Sequence, residues 1–467
     1  MTLRRLIISL LPALAVGLLT SAGPAVAADW SPPQNISASA NDLASSELAV
    51  DRTGRAFAAW PTFRWQSGTS HGHYVAGGWQ SATRAPGGSA FVLPRSAPSY
   101  IAGPVLYGVS RTVGLDRRLL GRTRCGERST VRARFGTSSG DVGSLMTIAT
   151  ATAPGGDRGP AVSANDAGIV VAAWTAASDD CRRSAVRVAL RRPGASRFEA
   201  PVTLRGSGLP QSASVAIGAG GDILVAWARR VGEGRTAIEA RVRPAGRGWG
   251  PVSALGAGTV AGPLTTAVAQ NGRSYVAWGT QSISESTGLA ADVLVAVRPA
   301  GTGAFRAAQT LERVRTGVAY LPRLGPVLAL AGTNAVIAWT GHDSAWRVRA
   351  ASTDASGRFG PAQSVSPPES GAVLGDLAAL PDGTAAVAWS GLDGENLVRD
   401  VAAAVRPAGG VFGAPEQVST GALRLPSVAL DPTTRRPTVT WAQRLGPVTS
   451  VATITAYVRA STRTQAP

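Results

Sequence analysis

Ser214-Val-Ala-Ile217, Leu224-Val-Ala-Trp227, Ala237-Ile-Glu-Ala-Arg-Val-Arg243, Arg243-Pro-Ala-Gly246 and Trp249-Gly-Pro251 follow one another along one stretch of chain. Each is a short run in which apolar or small residues recur at strand spacing, and Gly, Asp or Pro punctuates the gaps between them. The stretch reads as four short strands joined by tight turns.

The same grammar recurs on both sides. A small apolar run ends in Trp at Ala56-Phe-Ala-Ala-Trp60, Val170-Val-Ala-Ala-Trp174, Tyr275-Val-Ala-Trp278, Val336-Ile-Ala-Trp339, Ala386-Val-Ala-Trp389 and Pro437-Thr-Val-Thr-Trp441. From Trp174 onward the spacings are 53, 51, 61, 50 and 52 residues. The first gap, 114 residues, is about twice that period, so one degenerate unit is expected around residues 98–150. Turns such as Asn165-Asp-Ala-Gly168, Gln270-Asn-Gly-Arg273 and Pro381-Asp-Gly-Thr384 precede the Trp strands, and Asn, Asp and Gly tolerate the positive φ of tight hairpins. Four antiparallel strands repeated about every 50 residues are the signature of propeller blades. The expected fold class is all-β, a β-propeller of about eight four-stranded blades, with seven as the alternative count. An open β-solenoid is the rival. The chain ends favour closure: Trp30-Ser-Pro-Pro-Gln-Asn-Ile36 reads as a fourth strand with nothing before it, and the last unit stops after Ile454-Thr-Ala-Tyr-Val-Arg459. Pairing the two would complete the last blade and remove free edges. A Trp recurring at one strand position is read as packing between blades.

The N-terminus has the parts of a secretory signal peptide. Arg4 and Arg5 are followed by an apolar run from Leu6 to about Gly23, then Ala25-Val-Ala27. Cleavage is expected after Ala27, giving a signal peptide at 1–27 and a single propeller domain at 28–467, with a retained anchor as the alternative. No later segment is apolar for long enough to span a bilayer as a helix. The expected address is extracellular. In that setting the two cysteines, Cys125 and Cys181, are read as a disulfide between neighbouring blades.

The formal charge is +18, and all 46 basic residues are Arg. Residues 101–250 hold 22 Arg against 11 Asp or Glu. The segments joining second to third strands in blades two to four carry Arg117, Arg118 and Arg122, then Arg182 and Arg183, then Arg229 and Arg230. Read as variable loops on a rigid scaffold, they are candidate ligand-binding positions. A one-sided basic field attracts polyanions, and guanidinium suits carboxylate or phosphate oxygens. The expected partner is an acidic polysaccharide, an envelope polymer or another surface protein; no specific nucleic-acid motif accompanies the arginines. Trp65, His71 and His73 in the first blade and Trp346 in the sixth are a second candidate set, since exposed aromatic faces suit sugar rings. His71 and His73 are too slight a pattern for a metal site. No H-E-x-x-H and no Gly-Lys-Ser/Thr loop occurs, no cofactor is expected, and no catalytic residue is singled out.

The Gly turn and Trp-ending strand, from Asn165-Asp-Ala-Gly168 through Trp174, resemble the repeat of sialidase-like and related secreted propeller superfamilies. The resemblance implies the propeller fold. The sialidase Asp-box and early R-I-P do not occur in that form, so no catalytic residue is carried over. Three functions remain open: a secreted non-catalytic binding propeller, a propeller glycoside hydrolase or polysaccharide lyase, and a structural surface or assembly protein.

Overall fold

The computed structural model describes residues 30–37, 46–66, 73–92, 96–97, 102–107, 111–123, 126–137, 142–154, 160–177, 184–205, 209–260, 262–284, 288–301, 303–316, 325–367, 371–392, 398–422, 424–444 and 456–467. Every regular element among them is a strand. The expected signal peptide, 1–27, lies outside the described residues.

The strands fall into eight antiparallel units. Unit 1 comprises Glu47–Val50, Ala56–Gln66, His73–Arg84 and Ser96–Ala97. Unit 2, the one without a Trp strand, comprises Ala102–Tyr107, Arg111–Thr123, Gly126–Thr137 and Val142–Pro154. Unit 3 runs Ala161–Ala164, Val170–Ala177, Ser184–Arg191, Val202–Arg205, and unit 4 Leu209–Ile217, Ile223–Gly232, Arg235–Arg243, Ser253–Gly258. Unit 5 runs Thr265–Val268, Ser274–Ser284, Gly288–Arg298, Gln309–Thr316, and unit 6 Val327–Ala331, Asn334–His342, Trp346–Ser352, Gln363–Ser364. Unit 7 runs Ala372–Ala379, Ala385–Leu392, Val398–Arg406, Glu416–Thr420. Unit 8 takes Ser427–Leu430, Pro437–Arg444 and Ala456–Thr462 from the C-terminal end and Gln34–Asn35 from the N-terminal end, in register Gln34↔Ala460 and Asn35↔Arg459. Units 2 and 3 share one continuous sheet through the pair Ala177↔Thr152; the other sheets are separate and four-stranded.

The Trp strands explain how the sheets stack. Trp60, Trp174, Trp227, Trp278, Trp339, Trp389 and Trp441 are all buried. Trp227 packs with Val171, Val186 and Val188 of unit 3, and Trp389 packs with Ala338, Val348 and Ala350 of unit 6. The indole of one unit thus sits on the sheet of the unit before it. The Ala residues flanking each Trp let the backbones approach, so the indole fills the gap between sheets. Truncating such a ring to Ala costs about 3–5 kcal/mol.

Glutamine clasps add a second link. Gln309 Nε2 donates to Phe359 O at 2.8 Å and Gln309 Oε1 accepts from Phe359 N at 3.2 Å, joining units 5 and 6. Gln363 does the same to Phe412 at 2.7 and 3.0 Å, joining units 6 and 7. Gln34 does the same to Phe91 at 2.8 and 2.8 Å, joining unit 8 to unit 1. Where the next fourth strand begins with Glu416 instead, the carboxylate accepts from Trp30 Nε1 at 2.8 Å and pairs with Arg463 at 3.0 Å. Along the inner edge, the first strand of each unit lies beside that of the next, and the first strand of unit 8 lies beside that of unit 1. Ser214 and Thr266 share a hydrogen bond at 2.9 Å, and Ser46 Oγ donates to Thr440 Oγ1 at 2.7 Å across units 1 and 8. The arrangement is propeller-like, with sheets joined by side chains and packing and not by a ladder running round the molecule.

Gln34→Ala should lower stability by about 1–3 kcal/mol, because both backbone groups of Phe91 lose their partner. Chemical denaturation should give a similar loss for Gln309→Ala. A silent Gln34→Ala beside a costly Gln309→Ala would show that the N-terminal strand does not hold the fold.

Candidate functional site

Many arginines are spent inside the fold. Arg229 reaches Glu239 at 2.7 Å while Trp227 Nε1 donates to the same carboxylate at 2.8 Å. Arg349 meets Glu312 at 3.4 Å, and Trp339 Nε1 donates to that carboxylate at 2.6 Å. Glu416 with Trp30 and Arg463 is the third such cluster. Burial pushes the Glu239 carboxyl up, but hydrogen bonds from Arg229 and Trp227 outweigh it and hold the group below the usual range. Arg84 is buried against Thr438, and the Arg273 guanidinium donates to the carbonyl of Ala355 at 2.7 Å. Part of the basic composition is therefore mortar between sheets.

This changes the reading of several candidates. Arg117, Arg118 and Arg122 do not lie in a loop: they belong to the strand Arg111–Thr123, whose hairpin runs to the pair Thr123↔Gly126. Arg229 and Arg230 are likewise in a strand, so successive side chains point to opposite faces. Arg229 turns to Glu239, while Arg230 is exposed, as is Arg235 across the hairpin. The two do not form one binding surface. Trp346 is not an exposed loop aromatic. The link before it is short, so it opens the strand Trp346–Ser352 and is buried against Leu289, Ala291 and Val314, edge-on to His342 at 4.7 Å. Trp65 and His73 occupy the unit 1 hairpin, in registers Trp65↔Tyr74 and Gln66↔His73. His71, Arg182, Arg183 and both members of the expected disulfide, Cys125 and Cys181, lie outside the described residues. Gly136-Thr-Ser-Ser-Gly140 has the G-x-S-x-G spacing, but it leads from one strand to another and not from a strand to a helix, so it is no nucleophile elbow.

The inner strands hold a site that the sequence reading passed over. The eight first strands contain only two charged residues, Glu47 and Asp376, and no Arg. The first strands of units 1, 5, 6, 7 and 8 contribute to two hollows of about 460 and 530 Å³ that share Leu48 and Asp376. Ser46, Thr265 and Ser427 supply hydroxyls to the smaller one, and Pro263, Pro326 and Pro426 stiffen its wall. The larger one reaches Asp51 and the exposed pair Arg52–Asp166, 4.0 Å apart.

Asp376 is aimed by a bulge. The register shifts between Leu374 and Asp376, leaving Gly375 unpaired. Gly375 is required there, because a Cβ would collide with the Pro426 carbonyl oxygen. Asp376 Oδ1 accepts from Leu377 N at 2.8 Å and Oδ2 from Val428 N at 3.2 Å, so both oxygens are held by backbone donors. Glu47 has the opposite setting. Its side chain touches the water of the hollow but is walled by protein, and this desolvation pushes its carboxyl up to about 8, the Asp376 charge adding to the rise. A carboxyl disposed to carry a proton thus shares a cavity with a second carboxyl, a pairing suited to proton transfer. The signal was present in the repeat: a Glu and an Asp stand in first strands where the other units carry apolar, small or hydroxyl residues. No group of three or more metal-ligating side chains occurs among the described residues.

No family model and no curated protein matches the chain. Among solved structures, the chain is similar to an ulvan lyase described as a new family of polysaccharide lyase (11% identity, TM-score 0.45, covering 79% of this chain and 93% of that one). It is also similar to a protein of unknown function from Dyadobacter fermentans (12%, 0.40, 68% and 96%) and to a Hadza microbial sialidase (12%, 0.36, 91% and 94%). Likeness at this level carries nothing about activity, and the functional reading below rests on the residues.

The raised Glu47 carboxyl makes a signed prediction. Between the ordinary value of 4.5 and about 8, the folded chain keeps a proton that the unfolded chain has lost. Stability should therefore fall as pH rises through that window. Glu47→Gln should narrow the difference in Tm between pH 5 and pH 9. A difference as wide as in the unsubstituted protein would mean that Glu47 ionises normally.

Proposed function

We propose that the chain is an exported, closed β-propeller of eight blades that binds acidic polymers of the cell envelope through the arginine-bearing hairpins of units 2 to 4. The observation that carries this reading is how the arginines divide. Within the sheet stack they meet carboxylates, hydroxyls and carbonyls of neighbouring units, whereas at the hairpin end of unit 4 Arg230 and Arg235 are exposed. Residues 101–250 carry twice as many arginines as carboxylates, so the excess charge is concentrated on this part of the molecule. Ring closure is supported by the Gln34–Phe91 clasp, which repeats at the unit 8 to unit 1 junction the chemistry of the junctions inside the series. Export is supported by the basic start, apolar run and Ala25-Val-Ala27 of the N-terminus.

Residues 28–467 should be retained on an immobilised acidic polysaccharide and released by salt, since exposed charge pairs are screened. Replacing Arg118, Arg183 and Arg230 together with Ser should bring elution to clearly lower salt. Unchanged retention would remove the arginine hairpins from the interaction.

A second reading is favoured by one observation, the Glu47–Asp376 pair. In it the inner hollow is the active site of a glycan-cleaving enzyme, with Glu47 as proton donor and Asp376 as the fixed anion. It requires turnover of some polysaccharide that Glu47→Gln reduces at least 100-fold, read by reducing-end release; cleavage that survives the substitution would discard it.

A further inference from the structure

Two exposed apolar side chains sit among the hairpin arginines in a way that scattered surface residues do not. Leu120 is 52% exposed and Val231 is 45% exposed. Each is the extra residue of a β-bulge in the second strand of its unit. In unit 2 the register passes from Leu119↔Ser129 to Gly121↔Arg128 and leaves Leu120 unpaired. In unit 4 it passes from Arg230↔Thr236 to Gly232↔Arg235 and leaves Val231 unpaired. Each lies close to the hairpin end, and each is followed by Gly. A bulge interrupts the pleat and re-aims the extra side chain. Unit 7 also shifts register near this end, but there the extra residue is Arg399, on the third strand. Both apolar bulges are bracketed by arginine, Leu120 by Arg118 and Arg122 in sequence and Val231 by Arg230 and Arg235. Both hairpins join second to third strands, so the topology puts them at the same end of their units.

We propose that these two hairpin ends dock the protein on an anionic lipid bilayer, with Leu120 and Val231 entering the interface and the flanking arginines meeting the headgroups. The inference rests on the reading that the arginine hairpins face an anionic partner, and it narrows that partner to one with an apolar phase beneath its charges. An acidic polysaccharide in water offers guanidinium its counter-charge but gives an exposed leucine nothing to enter. A bilayer offers both, and stable peripheral binding takes both an apolar insertion and a basic attraction. The aliphatic chains beside the charges are short, so the predicted attachment is reversible and salt-sensitive.

The test is co-sedimentation of residues 28–467 with vesicles of phosphatidylglycerol and phosphatidylcholine, or of phosphatidylcholine alone, run beside the acidic-polysaccharide column. The protein should sediment with the anionic vesicles only. The double variant Leu120→Ser, Val231→Ser should lose about tenfold or more in vesicle partitioning while eluting from the column as before, and because both side chains are exposed its Tm should not move. The variant Arg230→Ser, Arg235→Ser should weaken both. Vesicle binding that the apolar double variant leaves unchanged would overturn the proposal, as would column retention with no vesicle binding, which leaves the polysaccharide reading standing. Vesicle binding without column retention would support the bilayer and remove the polysaccharide.

Discussion

The indole held between neighbouring sheets is the constraint on which the rest of the molecule depends. A four-stranded antiparallel sheet of this size has two faces to cover and too few residues to do so alone. Every unit but unit 2 solves this by offering a Trp to the unit before it. The flanking strands are rich in Ala and Val because the large ring has already filled the space. Two of these rings, Trp227 and Trp339, donate their N–H to Glu239 and Glu312, and each of those carboxylates also meets a guanidinium. The basic composition is thus entangled with the packing before any ligand is considered.

The fold was largely legible because its main signal is a repeated residue at a repeated strand position. The Trp spacing also located the unit that lacks a Trp, which the structure places at Ala102–Pro154. What could not be read was the extent of strands that carry many charges. Arg111–Thr123 has little apolar alternation beyond Val113 and Leu115, so Arg117, Arg118 and Arg122 looked like loop. Trp346 was misplaced for a related reason: the preceding turn is too short to leave the indole in solvent, and turn length is hard to judge beside polar residues. The carboxyl pair was passed over for another cause. Glu47 and Asp376 lie far apart in the chain and meet only because first strands from units 1 and 7 face one hollow.

Charge is sorted radially. The first strands carry no arginine, and their only charged groups are the two carboxyls. Arg229 and Arg349 meet carboxylates between sheets, while exposed arginines stand at the unit 4 hairpin end and in turns such as those holding Arg192 and Arg247. A polyanion drawn to the hairpins would meet an opposing field if it moved inward past the Asp376 anion, whereas a neutral or cationic group would not.

The hydroxyl contacts that join the N-terminal strand to unit 8 link residues more than four hundred positions apart, as between Ser31 and Thr462. Contacts of such separation form late, because the entropy of closing the intervening loop must be met before they stabilise anything. While the chain emerges in order, the N-terminal strand has no ladder partner, because Gln34 and Asn35 pair with Ala460 and Arg459 near the far end of the chain. The seam is therefore where an unfinished molecule differs most from a finished one, and where a second chain in the same state could lend its own C-terminal strands in exchange.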